Sequence, residues 1–160
     1  MKTDAEWMAL ALKLARKAES RGEVPIGALL VRDGQILATG YNERETLPSA
    51  LGHAECLAIH RANRRLGAWR LTDATLYVTL EPCLMCAGAI LQARIARVVY
   101  GARDPKAGAV ESLYSVLQDS RLNHCTEFTS GVLGEECGRL LTDFFRAKRR
   151  KPPSEGSGQA

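Results

Sequence analysis

The chain has 160 residues, 46% of them hydrophobic and 25% charged, which suits one soluble domain with a core large enough to fold alone. Its net charge of +4 is too small by itself to imply a nucleic-acid partner. No apolar run approaches the roughly 20 residues that cross a bilayer, and charged residues alternate with apolar ones from Lys2 onward, which excludes a membrane span and a secretory signal and puts the expected location in the cytoplasm. The five cysteines are an odd number, and two of them form C-x-x-C. In a reducing compartment that pattern favours metal binding or catalysis over a disulfide framework. Cys56, Cys125 and Cys137 are expected to be small buried residues.

Residues 3–20 read as an amphipathic helix, with Trp7, Met8, Ala11, Leu14, Ala15 and Ala18 at helical spacing, Thr3 or Asp4 as cap and Gly22 marking its end. Residues 24–31 form an apolar run that Pro25 enters. The turn signal Asp33-Gly34 joins it to a return strand at 35–41. Residues 43–52 read as loop. A helix follows from near His53 to about Leu66, with Arg61, Arg64 and Arg65 pointing outward and Gly67 closing it. Residues 74–80 alternate Leu76, Val78 and Leu80 against Thr75, Tyr77 and Thr79, a strand pattern. Pro82 suits the first turn of a helix running from about Cys83 to Ala93. A short strand is expected at 97–100, a loop at 101–108, a short helix near 110–117 and a last strand at 125–129. The final helix, about 133–149, carries Leu133, Cys137, Leu140, Leu141, Phe144 and Phe145 on one stripe, which puts at least one of the two phenylalanines in the core. Residues 1–151 then make one domain, and the Pro-, Ser- and Gly-rich residues 152–160 a disordered tail. Helices alternating with strands predict an α/β fold with helices on both faces of a largely parallel sheet, opened by one antiparallel hairpin.

The chemistry is concentrated in His53-Ala54-Glu55 and Pro82-Cys83-Leu84-Met85-Cys86. A catalytic zinc takes three protein ligands and keeps a position for water, whose pKa it lowers toward neutrality. His53, Cys83 and Cys86 can supply the three ligands. Both stretches open predicted helices, whose dipoles favour thiolates there. Glu55 has no cationic partner nearby in sequence and can carry the water's proton to an atom that must be protonated. Together these parts fit hydrolytic attack on an electrophilic carbon, such as an amidine-type deamination of a nucleobase. One competing arrangement is a closed Cys₃His site with Cys56 as fourth ligand, in a non-catalytic zinc-stabilised RNA-binding module. That would leave Glu55 without a role.

The spacing of His53-Ala54-Glu55 and Pro82-Cys83-x-x-Cys86 resembles the zinc nucleoside and nucleobase deaminase signature. Glu23 to Ala28, Asn42, Trp69-Arg70-Leu71, residues 76–88, Val98 to Lys106, Asn123-His124 and Asp143 to Arg146 extend the likeness to the bacterial tRNA-specific adenosine deaminase family over residues 4–150. The resemblance implies a three-layer α/β/α cytidine-deaminase-like fold with a mixed sheet of about five strands. It also implies hydrolysis of the wobble adenosine of an arginine tRNA anticodon to inosine, one zinc per chain and a homodimer. His53, Cys83 and Cys86 match the family's ligands, Glu55 its proton shuttle, Asn42 a residue that hydrogen-bonds the flipped base, and Asp104 a loop residue near the target nucleotide's sugar. From the residues alone, Asn42 and Asp104 read equally as turn formers. Gly52 departs from the alanine usual before the histidine, and Cys125 stands where many members carry arginine.

Phe145, Arg146, Lys148, Arg149 and Arg150, with Lys151, are expected to contact the tRNA anticodon stem-loop, although the solvated end of an amphipathic helix has the same composition. The apolar side of residues 87–94 suits a dimer face or core packing. A small-molecule deaminase acting on guanine, cytosine or a deoxycytidylate would carry the same zinc site. The basic last helix and the loop at Asp104 argue against it.

Overall fold

A computed structural model describes residues 1–150, so Lys151 and the expected tail at 152–160 lie outside the described residues. In chain order the elements are α1 (Asp4–Ser20), β1 (Gly27–Arg32), β2 (Gln35–Tyr41), α2 (Ala54–Leu66), β3 (Thr75–Leu80), α3 (Leu84–Gln92), β4 (Arg97–Ala102), β5 (Glu127–Thr129) and α4 (Gly134–Arg150). The strands form one sheet in the order β2-β1-β3-β4-β5. β1 pairs antiparallel with both β2 and β3, while β3–β4 and β4–β5 are parallel. The sheet is therefore mixed, and its antiparallel part extends one pairing beyond the hairpin. No described helix is long and apolar enough to cross a membrane.

Period-two alternation builds the two cores. Ala28 and Leu30 of β1, Leu76 and Val78 of β3, and Val98 and Tyr100 of β4 face α2 and α3. Leu29, Val31, Tyr77 and Val99 face the other way, against Trp7, Met8, Ala11 and Leu12 of α1 and Cys137 of α4. The central strands are thus apolar on both faces, as a sheet covered by helices on both sides requires. Each fully buried leucine contributes about 1.5–3 kcal/mol relative to exposure. At the edge strand β2, Arg61 donates to Thr39 O at 3.0 Å, and Arg65 donates to Ile36 O and Leu37 O at 2.8 and 2.9 Å. Two of the three outward arginines of α2 thus tie the helix to that strand. Gly40 has no room for a Cβ, which would meet the Ala54 carbonyl, so its lack of a side chain brings the start of α2 down onto the sheet.

Several expectations change. Residues 110–117 are turn and irregular chain, not a helix: Leu113 N and Tyr114 N both go to Gly108 O and Val116 N to Ala109 O, and none of these is the bond four residues back that a helix needs. β1 starts at Gly27, since Val24 O accepts Ile26 N and the Asn42 amide instead of joining the ladder. Cys125 is exposed in the turn before β5. Neither Phe144 nor Phe145 belongs to a core cluster, because α4 packs on β4 and β3 through its first half and is exposed over Phe145 to Arg150. Ala87, Ile90, Leu91 and Ala93 face the core, so only Gly88, Gln92 and Arg94 remain of the candidate dimer face at 87–94, with the exposed Leu84 beside them.

Candidate active site

Two helix starts converge at the end of the sheet's central strands. His53 is the N-cap of α2 and Cys83 the N-cap of α3, both extended, and neither side chain makes a capping hydrogen bond. N-cap positions normally carry Ser, Thr, Asp or Asn that satisfy the helix's own N–H groups. Here the side chains turn instead to each other. His53 Nδ1 lies 3.5 Å from both Cys83 Sγ and Cys86 Sγ. Zinc–sulfur and zinc–nitrogen bonds of about 2.3 and 2.05 Å at a tetrahedral angle give a nitrogen–sulfur edge of about 3.6 Å. The three donors are spaced to hold such an ion, and all lie within 4.8 Å of one another. Cys56 Sγ sits 3.6 Å from Cys86 Sγ but does not join that mutual set. It flanks one candidate ligand and does not complete a tetrahedron.

Electrostatics distinguish the groups. The Cys83 thiol falls to about 3, held down first by the Cys86 thiol's hydrogen bond and then, against the opposing effect of burial, by His53. The hydrogen bond with Cys83 raises His53. Burial pushes the Glu55 carboxyl up to about 7, with no lysine or arginine paired to it among the described residues. Two other carboxylates are equally buried and differ from Glu55 in their donors. Glu23 accepts the N–H groups of Glu45 and Thr46, the latter at 2.7 Å. Glu81, 2% exposed, accepts those of Asp104, Val110, Glu111 and Ser112 and the Ser112 hydroxyl. Burial alone would raise Glu81, but the donors from Glu111, Ser112 and Asp104 hold it below the ordinary carboxylate value.

His53, Glu55 and Cys83 line a cavity of about 210 Å³ together with Asn42, Asp104 and Arg44. That is below the roughly 300–1,000 Å³ of drug-sized ligand sites and suits one extruded base. Asn42 is 7% exposed; its amide donates to Val24 O and its oxygen accepts Arg44 N, both at 3.3 Å. Asp104 Oδ1 accepts Lys106 N and Ala107 N at 3.1 and 3.2 Å, so the carboxylate also shapes its own turn. The cavity adjoins a groove of about 720 Å³, and the two share Val24, Leu80, Asp104 and Ala107 in their walls. Of the five basic or aromatic candidates on α4, Phe145 and Arg149 line this groove. Lys148 lies over the Phe144 ring at 5.8 Å, in a different concavity against α1. Arg146 and Arg150 are exposed and line neither.

Sequence reasoning passed over Arg44, Glu23 and Glu81. For the two glutamates a signal existed: each is an acid beside an apolar strand, and Glu81 directly precedes Pro-Cys.

Comparison with known proteins places this arrangement. The model of the MafB19-like deaminase family matches residues 2–149. The tRNA-specific adenosine deaminase of Bacillus subtilis (strain 168) is 54% identical over 151 residues, covering 94% of each chain. A solved tRNA:A34 deaminase, studied for A-to-I editing at the wobble position of transfer RNA, superposes with a TM-score of 0.82 at 47% identity, covering 85% of this chain and 99% of that one. The guanine deaminase of Nitrosomonas europaea has a TM-score of 0.75 at 23% identity, covering 90% of this chain and 85% of that one, and shares the fold alone. On the family match and the identity to full-length relatives, the chain belongs to the MafB19-like deaminases and, among them, to the tRNA-specific adenosine deaminase family.

Proposed function

We propose that the chain hydrolyses the wobble adenosine of a tRNA anticodon loop to inosine, releasing ammonia, with the arginine tRNA as substrate. The observation that carries this reading is the cavity in which His53, Glu55 and Cys83 meet Asn42 and Asp104, adjoining the groove lined by Phe145 and Arg149. His53, Cys83 and Cys86 hold one zinc per chain, and their donor spacing supports it. Zinc bound there supplies a Lewis acid that brings the pKa of water near neutrality.

Glu55 takes one proton from the attacking water and gives it to the purine ring nitrogen beside C6; it then takes the second from the hydroxyl formed at C6 and gives it to the amino group, so that the C–N bond breaks, the carbonyl forms and ammonia departs. Burial raises the Glu55 carboxyl, which suits a group that both takes up and gives back a proton. Asn42 hydrogen-bonds the extruded base by exchanging its two long backbone bonds for base contacts. Asp104 lies beside the target nucleotide's sugar. Phe145 stacks on a neighbouring base and Arg149 meets phosphate, with Arg146, Lys148 and Arg150 adding charge at longer range.

Residues 1–151 act as one deaminase domain in the cytoplasm. Two copies pair through α3, where Gly88 faces open space, Leu84 is 52% exposed and Leu113 and Tyr114 are exposed nearby. Leu84→Glu then shifts the sedimenting species from dimer to monomer.

The deciding test is incubation with an arginine tRNA anticodon stem-loop, with free guanine and cytosine in parallel. Inosine in the stem-loop is the expected result. Consumption of guanine or cytosine without inosine would sink the reading.

A further inference from the structure

The loop that carries Asp104 is wrapped around one buried side chain. Glu81, the last residue before Pro82-Cys83, sends Oε1 to Asp104 N at 3.0 Å and Oε2 to Val110, Glu111 and Ser112 N at 3.1, 2.9 and 3.0 Å, and the Ser112 hydroxyl donates to Oε1. A Cβ at Gly108 would collide with this carboxylate, so the loop wraps directly over it. The backbone on either side of Glu81 joins the same loop. Glu81 N donates to Ala102 O, Ala109 N to Pro82 O, and Cys83 bridges Gly108. Further out, Glu111 receives the Tyr100 hydroxyl and pairs with Arg103 at 3.2 Å, which secures the loop's far side. A buried carboxylate collecting four backbone N–H groups is an expensive arrangement to leave half-satisfied.

We propose that Glu81 is a positioning residue: it registers the substrate loop, residues 102–112, against the Cys83 end of α3, and so sets where Asp104 stands relative to the metal donors. This rests on the reading of the cavity as the base site. Glu81 lines that cavity, yet its oxygens are turned into the loop, so it acts through Asp104 and the backbone and leaves proton transfer to Glu55. Replacing it by glutamine keeps the shape but presents an amide N–H₂ to N–H donors, which frees one side of the loop.

The test compares Glu81→Gln and the milder Ser112→Ala with the unaltered protein. With the stem-loop substrate, Glu81→Gln should raise KM about tenfold to a hundredfold, the loss expected of a hydrogen bond to a charged group, while kcat changes much less. Ser112→Ala should raise KM in the same direction by less. Zinc content should stay at one per chain in both. Hydrogen exchange of the RNA-free protein should show residues 104–112 losing protection in Glu81→Gln while α3 keeps its own. That arm needs no activity, so it separates failure of this proposal from failure of the functional reading. Unchanged exchange in the loop, an unchanged KM, or loss of zinc and of protection throughout the sheet would each overturn it.

Discussion

The starts of α2 and α3 and the end of α4 border adjoining cavities, but they are built on opposite principles. At the helix starts, His53, Glu55, Cys83 and Cys86 are buried or half-buried, each within two or three residues of a helix N-cap, and their positions follow from local backbone geometry. At the end of α4, Phe145 is 41% exposed and the basic residues are solvated, so their direction depends on how the whole helix lies across β4 and β3. On the proposed function, chemistry is placed by rigid, local constraints, and recognition by an exposed surface. Substitutions should therefore act almost completely in the first region and by degrees in the second.

The largest effects fall on the metal donors. Cys83→Ser or Cys86→Ser should remove both zinc and activity, whereas Cys56→Ser should leave one zinc per chain by metal analysis. Zinc that departs only with Cys56 would restore the closed Cys₃His arrangement and break the contrast. Next comes Glu55→Gln, which should keep zinc and lower kcat by about 10²- to 10⁴-fold, the range of general acid–base catalysis. Full activity in that variant would remove the proton shuttle from the mechanism. In the second region, Phe145→Ala should raise KM for the stem-loop about 5- to 150-fold, as loss of one stacking contact worth about 1–3 kcal/mol does. Arg149→Ala should exceed Arg146→Ala and Arg150→Ala at equal salt, because only Arg149 lines the groove. Equal effects from all three would mean that the helix acts as a diffuse cation.

The smallest effect serves as a control away from both regions. Arg97 holds the Asp4 carboxyl below its ordinary value of 3.8, helped by the Tyr77 hydroxyl and opposed by burial. A lowered folded-state pKa contributes stability that is full above the ordinary value and lost as pH falls through the folded one. Asp4→Asn should therefore lower the melting temperature modestly at pH 7, with the difference from the unaltered protein shrinking on acidification and KM unchanged. The pair is partly exposed, which keeps the effect small.

Much of the fold was legible because its signals are local. Alternation marked β3, Asp33-Gly34 marked the hairpin, and Pro82 marked the start of α3. The failures share a cause in side chains that reach across sequence. Residues 110–117 have a helix-like pattern, but the chain wraps the Glu81 carboxylate, some thirty residues earlier, and Leu113 N and Tyr114 N both turn back to Gly108 O. The extra antiparallel pairing of β1 with β3 is likewise invisible to periodicity, which reports that a strand exists and says nothing of its neighbour. At the site, spacing put the three donors and Glu55 on helix starts. It could not reveal that Asn42 and Asp104, both also turn formers, meet them in one cavity.

By itself, then, the sequence determined the inventory and the local pose: an imidazole, two thiols and a carboxylate at the first turns of two helices, where capping geometry and the helix dipole act within a few residues. Only the tertiary structure decided which carboxylates are free. Glu23, Glu55 and Glu81 are all buried, and nothing local separates them. Glu23 and Glu81 are saturated by backbone donors from loops folded over them, whereas among the described residues no loop N–H donates to Glu55 and burial raises its carboxyl.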